Sequence, residues 1–245
     1  MEVRFSYSDH LVGLVDEAAA TAARIAVAPP DSLAAEALRA KRDTARLSAR
    51  LDASPLDDAT AGAVDAGMWT WPAGGPRAGQ TLTGEAEERA GGWATALKLD
   101  AMPTQQVAAV EYANLLACYD AEAELAAQLF QAPLTVLTTL HGLICQGLVA
   151  PQVVGRPRRS IQAVHDGAQG RVIFNTPDPR AVPRLLDGLV EWLGATGSPG
   201  SAGLPTLVVA GVVHERLLEW QPFEAGNGRL ARAAARLVLR ARGLD

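Results

Sequence analysis

Apolar residues return at helical spacing over most of the chain. From Ser8 to about Val27 and from Ser32 to about Ala53, alanine and leucine recur on one face, which predicts two helices. Pro29 and Pro30 separate them, with Asp31 or Ser32 placed to cap the second. The stretch from Pro72 to Gly84 is rich in Gly, Pro, Ala and Thr and breaks the pattern. Preceded by Trp69 and Trp71, it reads as an ordered loop held by aromatic anchors. A long amphipathic pattern then runs from Pro103 through Phe130, with Val107, Val110, Leu115 and Tyr119 in its apolar set, and predicts the central helix. Pro133 opens another helix that continues through Gly147.

The one strand signal lies beyond it. Arg159 to Val164 and Arg171 to Phe174 bracket Asp166-Gly167-Ala168-Gln169-Gly170, two β-prone segments about a glycine turn, which predicts a hairpin. Further helices are expected from Asp178 and Pro179 to near Gly194 and from Leu204 to Trp220, with the loop GATGSPGSAG between them. The last helix carries Arg229, Arg232, Arg236 and Arg240, whose spacing puts them on one face. The pattern describes a mostly α protein, a bundle of about eight helices with one small β-hairpin.

Composition supports that class. Hydrophobic residues make up 49% of the 245 positions and aromatics only 5%, so alanine and leucine must supply the packing, as they do in closely spaced helices. A net charge of -5 gives no overall field for nucleic acid or an anionic membrane surface, so neither partner is expected and any anion site must be local. Cys118 and Cys145 lack the spacing of a metal site or a disulfide framework and read as two buried thiols. The start MEVRFSYSDH has no secretory pattern, and apolar runs such as Leu207 to Val213 are too short to span a bilayer. A cytoplasmic location is the expectation.

Candidate chemistry concentrates in Gln221-Pro222-Phe223-Glu224-Ala225-Gly226-Asn227-Gly228-Arg229-Leu230-Ala231-Arg232, between two predicted helices. Glycines at a helix start let an anion approach free backbone N–H groups at the positive end of the helix dipole. Arg229 and Arg232, one turn apart, can add fork-shaped donors to the same phosphate. A tight interhelical turn capped by Asn227, with the arginines salt-bridged or solvated, accounts for the same residues. Arg156, Arg158 and Arg159 form a short basic cluster, read either as solvated surface or as further anion donors.

The segment resembles the Fic (Fido) motif, His-Pro-Phe-x-Asp/Glu-Gly-Asn-Gly-Arg-x-x-Arg, and the resemblance reaches upstream over most of the chain. His214 to Trp220 is similar to the helix before the motif, Gly155 through Pro179 to the hairpin flap that aligns a target segment, and Arg180 to Leu193 to the helix after it. The resemblance implies a Fic-fold helical bundle with a helical extension and loop over 1–84 and a core over 85–245. It implies transfer of a nucleotide phosphate, most often AMP from ATP, to a hydroxyl of a protein target docked on the flap at 159–174. Gly226, Asn227, Gly228 and Arg229 would form the phosphate loop, Arg232 would hold the terminal phosphate, and Phe223 would anchor the loop.

Two departures bear on the chemistry. The general base of the family is Gln221 here, an amide that cannot take the target's proton, and a positioned base contributes roughly 100- to 10,000-fold. The acid that holds Mg²⁺ is replaced by Ala225, so that ion lacks its hard oxygen ligand; Glu224, one residue early, would have to turn the loop to reach a metal. His214, seven helical residues from Gln221, lies about 10 Å away at 1.5 Å rise per residue, too far to substitute. Ser48-Ala49-Arg50-Leu51-Asp52-Ala53 resembles the family's inhibitory helix motif, which implies a pairing of Asp52 with Arg232. The implied ligand is ATP or another nucleotide. Three activities stay open: a binding protein with weak or lost transfer, a transferase with altered chemistry, and an interaction scaffold.

Overall fold

The computed structural model describes residues 8–26, 30–70, 104–165, 171–196 and 204–244. Trp71, the boundary at residue 84, the hairpin turn 166–170 and most of GATGSPGSAG lie outside them. Helices α1 (Asp9–Ala26) and α2 (Pro30–Leu51) form where the alanine and leucine spacing puts them. Pro30 opens α2, ahead of the expected Ser32; a proline suits a first helical turn, where its missing N–H is no loss. A short helix α3 (Asp58–Asp65), not expected from periodicity, is started by Asp57, whose carboxylate accepts from the Thr60 N–H at 2.7 Å.

The central helix differs from its expectation in two ways. It divides at Ala121 into α4 (Thr104–Asp120) and α5 (Glu122–Gln128). Backbone bonds from Ala121 to Ala117 and from Leu125 to Ala121 carry the helical path across the bend. Nor is α4 amphipathic, since the six residues Val107 to Tyr112 are all buried. Other elements surround its middle, with α2, α3 and α6 (Pro133–Cys145) packed against it. Trp69 is half-buried on Val107, Val110 and Leu148, as an anchor would be.

A 3₁₀ turn at Pro151–Val153 leads to strands β1 (Ala163–His165) and β2 (Val172–Asn175). They pair antiparallel, Ala163 opposite Asn175 and Val164 opposite Phe174, with an irregularity before His165. Residues 159–162 were expected in the first strand and instead are taken up by the motif loop. Helices α7 (Val182–Thr196), α8 (Thr206–Trp220) and α9 (Asn227–Ala241) complete the bundle, α8 and α9 packing along one another.

One buried cluster joins Ala45 and Ala49 of α2, Leu56 and Ala61 with residues of α4, α6, α8 and α9. Polar clamps fix α2 onto that core. Asp65 accepts from Tyr112 at 2.7 Å and from Arg46 at 2.5 Å, and Lys41 pairs with Asp120. Cys118 and Cys145 are free and buried, and burial pushes both thiols up to about 12, so neither is a nucleophile near neutral pH. No described helix is long and apolar enough to cross a membrane.

Candidate functional site

The motif loop is shaped by its own residues. Pro222 disfavours the helical region for the residue before it, so α8 stops at Trp220 and Gln221 turns left-handed at φ 44°, ψ 62°. That conformation costs a non-glycine residue about 1–2 kcal/mol. Phe223 is fully buried, which contributes about 1.5–3 kcal/mol and fixes the loop to the core. Asn227 closes the turn: its side-chain oxygen accepts from the Phe223 N–H at 2.9 Å and its amide donates to the Phe223 carbonyl at 2.8 Å. Gly226 sits at φ 71°, and a Cβ there would lie 2.7 Å from the Cys145 sulfur. Gln221 folds back on α8, its amide donating to the Leu218 carbonyl at 2.8 Å.

The arginines of α9 converge on acids rather than on solvent. Asp52, just past the end of α2, receives Arg229 Nε at 3.0 Å and Arg232 Nη2 at 2.9 Å. Ser48, one turn earlier, takes Arg232 through its hydroxyl at 2.8 Å and its carbonyl at 2.9 Å. Asp52 lies so close to the first turn of α9 that a Cβ on Gly228 would meet its carboxylate at 2.8 Å. A carboxylate therefore occupies a helix N-terminus between two guanidinium groups, the place and the chemistry of an anion site. Glu111 lies on the other side of Arg229, at 3.3 Å from Nη2 and only 1% exposed. Burial pushes its carboxyl up, and Arg229 opposes that shift. Arg236 forks onto buried Glu122, both contacts at 3.0 Å, and Arg240 reaches the same carboxylate at 3.9 Å.

The basic cluster is not uniform. Arg156 and Arg159 are exposed, but Arg158 is buried and neither solvated nor turned to an anion. It donates to the carbonyls of Gln221 at 2.7 Å, Trp220 at 3.2 Å, Ser160 at 2.6 Å and Pro177 at 2.6 Å, and to the Thr176 hydroxyl at 2.9 Å. One guanidinium thus ties both stems of the flap to the end of α8. Glu224 completes the join, accepting from the Arg159 N–H at 2.7 Å and from the Ser160 hydroxyl at 2.5 Å.

These contacts test the fit of a magnesium ion. The oxygens of Glu224 are occupied by the flap, Ala225 presents a methyl group, and no group of three or more His, Cys, Asp or Glu among the described residues is arranged to hold a metal. Neither Glu224, committed to the flap, nor Ala225 therefore supplies the one or two carboxylates by which magnesium is commonly held beside phosphates.

His141 was not singled out by the sequence. It stacks on Phe223 with ring centroids 4.2 Å apart. The Gly155 N–H donates to its Nδ1 at 2.8 Å, which puts the proton on Nε2, 3.2 Å from the Ala225 carbonyl. Burial drives its pKa down to about 4, the hydrogen bond to Ala225 opposing, so it is a neutral strut beneath the loop. His214 is half-buried, and its pKa is lowered by burial and then by the charge of Arg232.

The Fic/DOC family model matches residues 131–239, which span the flap, α8, the motif loop and most of α9. This region belongs to the Fic/DOC family. Solved structures extend the likeness to the whole Fic fold. A Fic family protein from Desulfovibrio desulfuricans G20 is 22% identical at a TM-score of 0.66, over 98% of this chain and 60% of that one. A Fic domain containing signaling protein from Bacteroides thetaiotaomicron is 17% identical at 0.62, over 93% of this chain and 72% of that one. Fic-1 from C. elegans is 18% identical at 0.56, over 96% and 60%. The chain thus spans 60% of the first and third of these Fic proteins. No curated protein matches it. Gln221, Ala225, the loop glycines and both Arg229 and Arg232 lie within the matched residues.

Proposed function

We propose that this Fic-like protein binds a phosphate-bearing ligand, such as a nucleotide, at the loop 221–232, and that its protein AMP-transfer activity is weak or lost. What supports the binding half is the convergence of Arg229 and Arg232 on a carboxylate at the start of α9, an anion site filled from within. Asp52 acts as the occupant that a ligand must displace. What supports the loss of transfer is the side chain at the base position: Gln221 has no proton-accepting group and its amide is turned onto Leu218. Without a base, a factor of roughly 100 to 10,000 is missing from proton removal.

Calorimetric titration with ATP, ADP, AMP and GTP, with and without Mg²⁺, tests the binding half. The Asp52→Ala variant should bind at least one of them more tightly than the unaltered chain, and Arg232→Ala should abolish that binding. A parallel incubation with labelled ATP should leave no label on protein. Stoichiometric labelling of a protein hydroxyl would overturn the loss of transfer, and silence of every nucleotide in a folded Asp52→Ala variant would overturn the pocket.

A further inference from the structure

The two acids that face Arg229 differ in what they can do. Asp52 follows the last residue of α2 and retains 13% side-chain exposure, so a turn of the helix end or of its own side chain releases it. Glu111 sits mid-way along α4 between the fully buried Val110 and Tyr112, with 2% side-chain exposure, and has nowhere to go. Opening the site therefore removes one carboxylate and keeps the other. The surviving set is Arg229, Arg232 and Glu111, two positive charges against one negative.

The buried cations nearby are spoken for, whereas Arg156 and Arg159 stand exposed on the flap, where water and salt screen them. Arg158 is committed to carbonyls of the flap and α8, and Arg236 to Glu122. The loop leaves no free carboxylate for magnesium, the ion that neutralises the phosphates of a nucleoside triphosphate in enzymes of phosphoryl transfer, since Glu224 is engaged by the flap and Ala225 has no side-chain oxygen. A single terminal phosphate carries about 1.5 to 2 negative charges near neutral pH, against one net positive charge on the site with Asp52 withdrawn and about half a charge more from the N-terminus of α9. Additional phosphates would bring charge with no buried counter-charge beside a fixed, buried carboxylate.

From these charges we infer that the ligand is a single phosphate group, orthophosphate or a phosphate monoester, bound without a metal ion in preference to a nucleoside triphosphate. The inference rests on the anion-site reading above and names its ligand class. Glu111 is the selecting charge: Arg229 is shared with it, and it penalises each added phosphate.

The test is calorimetric titration of the Asp52→Ala and Asp52→Asn chains with orthophosphate, AMP, ATP and ATP with Mg²⁺. Orthophosphate or AMP should bind at least tenfold more tightly than either form of ATP. AMP ahead of orthophosphate would identify a nucleotide monoester as the source, and equality would identify the phosphate alone. Adding Glu111→Gln should raise ATP affinity about tenfold to a hundredfold, the effect of deleting a charge a few ångströms away in a partly screened site. ATP with Mg²⁺ binding as tightly as AMP, or an unchanged ranking in a folded Glu111→Gln variant, overturns the single-phosphate inference and leaves the anion site standing. Absence of binding by every anion to a folded Asp52 variant overturns the anion site itself. Should both Asp52 variants fail to fold, the same ranking, read as thermal shifts of the unaltered chain at saturating ligand, decides the matter.

Discussion

Replacing Arg158 by alanine should loosen the flap and destabilise the whole chain. The side chain makes five donor contacts between 2.6 and 3.2 Å. Hydrogen bonds from a charged group contribute roughly 1.5–3 kcal/mol each, and a simple sum would exceed 7 kcal/mol. That sum is too large, because burying the guanidinium costs several kcal/mol and water can reach some of the carbonyls once it is gone. Buried acceptors left without a donor cost about 1–3 kcal/mol each, so two or three that water does not reach leave a net loss of about 3–5 kcal/mol. For a protein of this size each kcal/mol moves Tm by about 2–4 °C, so the expected fall is about 6–20 °C. Arg158→Lys should recover less than half of it, since a point-like ammonium cannot serve carbonyls on the flap and on α8 together. Thermal unfolding followed by circular dichroism reads the stability, and amide exchange between Gln162 and Thr176 reads the flap. A Tm within about 2 °C of the unaltered chain, with flap exchange unchanged, would refute the role given to Arg158.

Two further outcomes follow from the loop. His141 is neutral in the fold down to about pH 4 and protonates near 6.5 when unfolded, so the unfolded chain takes up the extra proton. Its contribution is complete above about pH 6.5 and is lost as pH falls toward 4, by about 3 kcal/mol in all; denaturant titrations of the unaltered chain and of His141→Asn should converge across that window, and parallel pH profiles would sink the assignment. Gly226→Ala must place a Cβ at φ 71°, 2.7 Å from the Cys145 sulfur, and should cost about 2–4 kcal/mol from backbone strain and overlap together. Measured in a Cys145→Ala background, about half of that loss should disappear; an unchanged loss would show that overlap with the sulfur plays no part.

How much was legible depends on how local the cause is. Pro222, Gly226 and Asn227 act on their immediate neighbours, so the turn and the helix start after it could be read from spacing and turn chemistry. Helix α3 had a local signal as well, the capping Asp57, but its eight residues carry too little apolar periodicity to compete with a loop reading. Arg158 reads in RPRRS as surface charge, because apart from the Ser160 carbonyl its partners stand 18 to 63 residues away and nothing nearby in sequence foretells them. Glu111 and His141 left a fainter trace. Each is the one acid or histidine in a mostly apolar run, VAAVEYANLL and TTLHGLIC, and a buried polar residue must find a partner. Which partner could not be read, since Arg229 stands 118 residues from Glu111 and Ala225 stands 84 from His141. The break at Ala121 likewise follows no sequence signal, although it sets buried Glu122 against Arg236.

The contact between Asp52 and the arginines of α9 spans 177 and 180 residues of chain. At a synthesis rate of about 5–20 residues per second, Asp52 precedes Arg229 by about 10–35 s. Until α9 arrives, the face of α2 that carries Ala45, Ser48 and Ala49 has lost one of its partners, and a long loop must close before that partner is gained. The order has a direction. Asp52 is made first and the arginines that hold it last, so this pair of ion pairs can close only when the chain is nearly complete, and it joins the two ends of the described core in the final step.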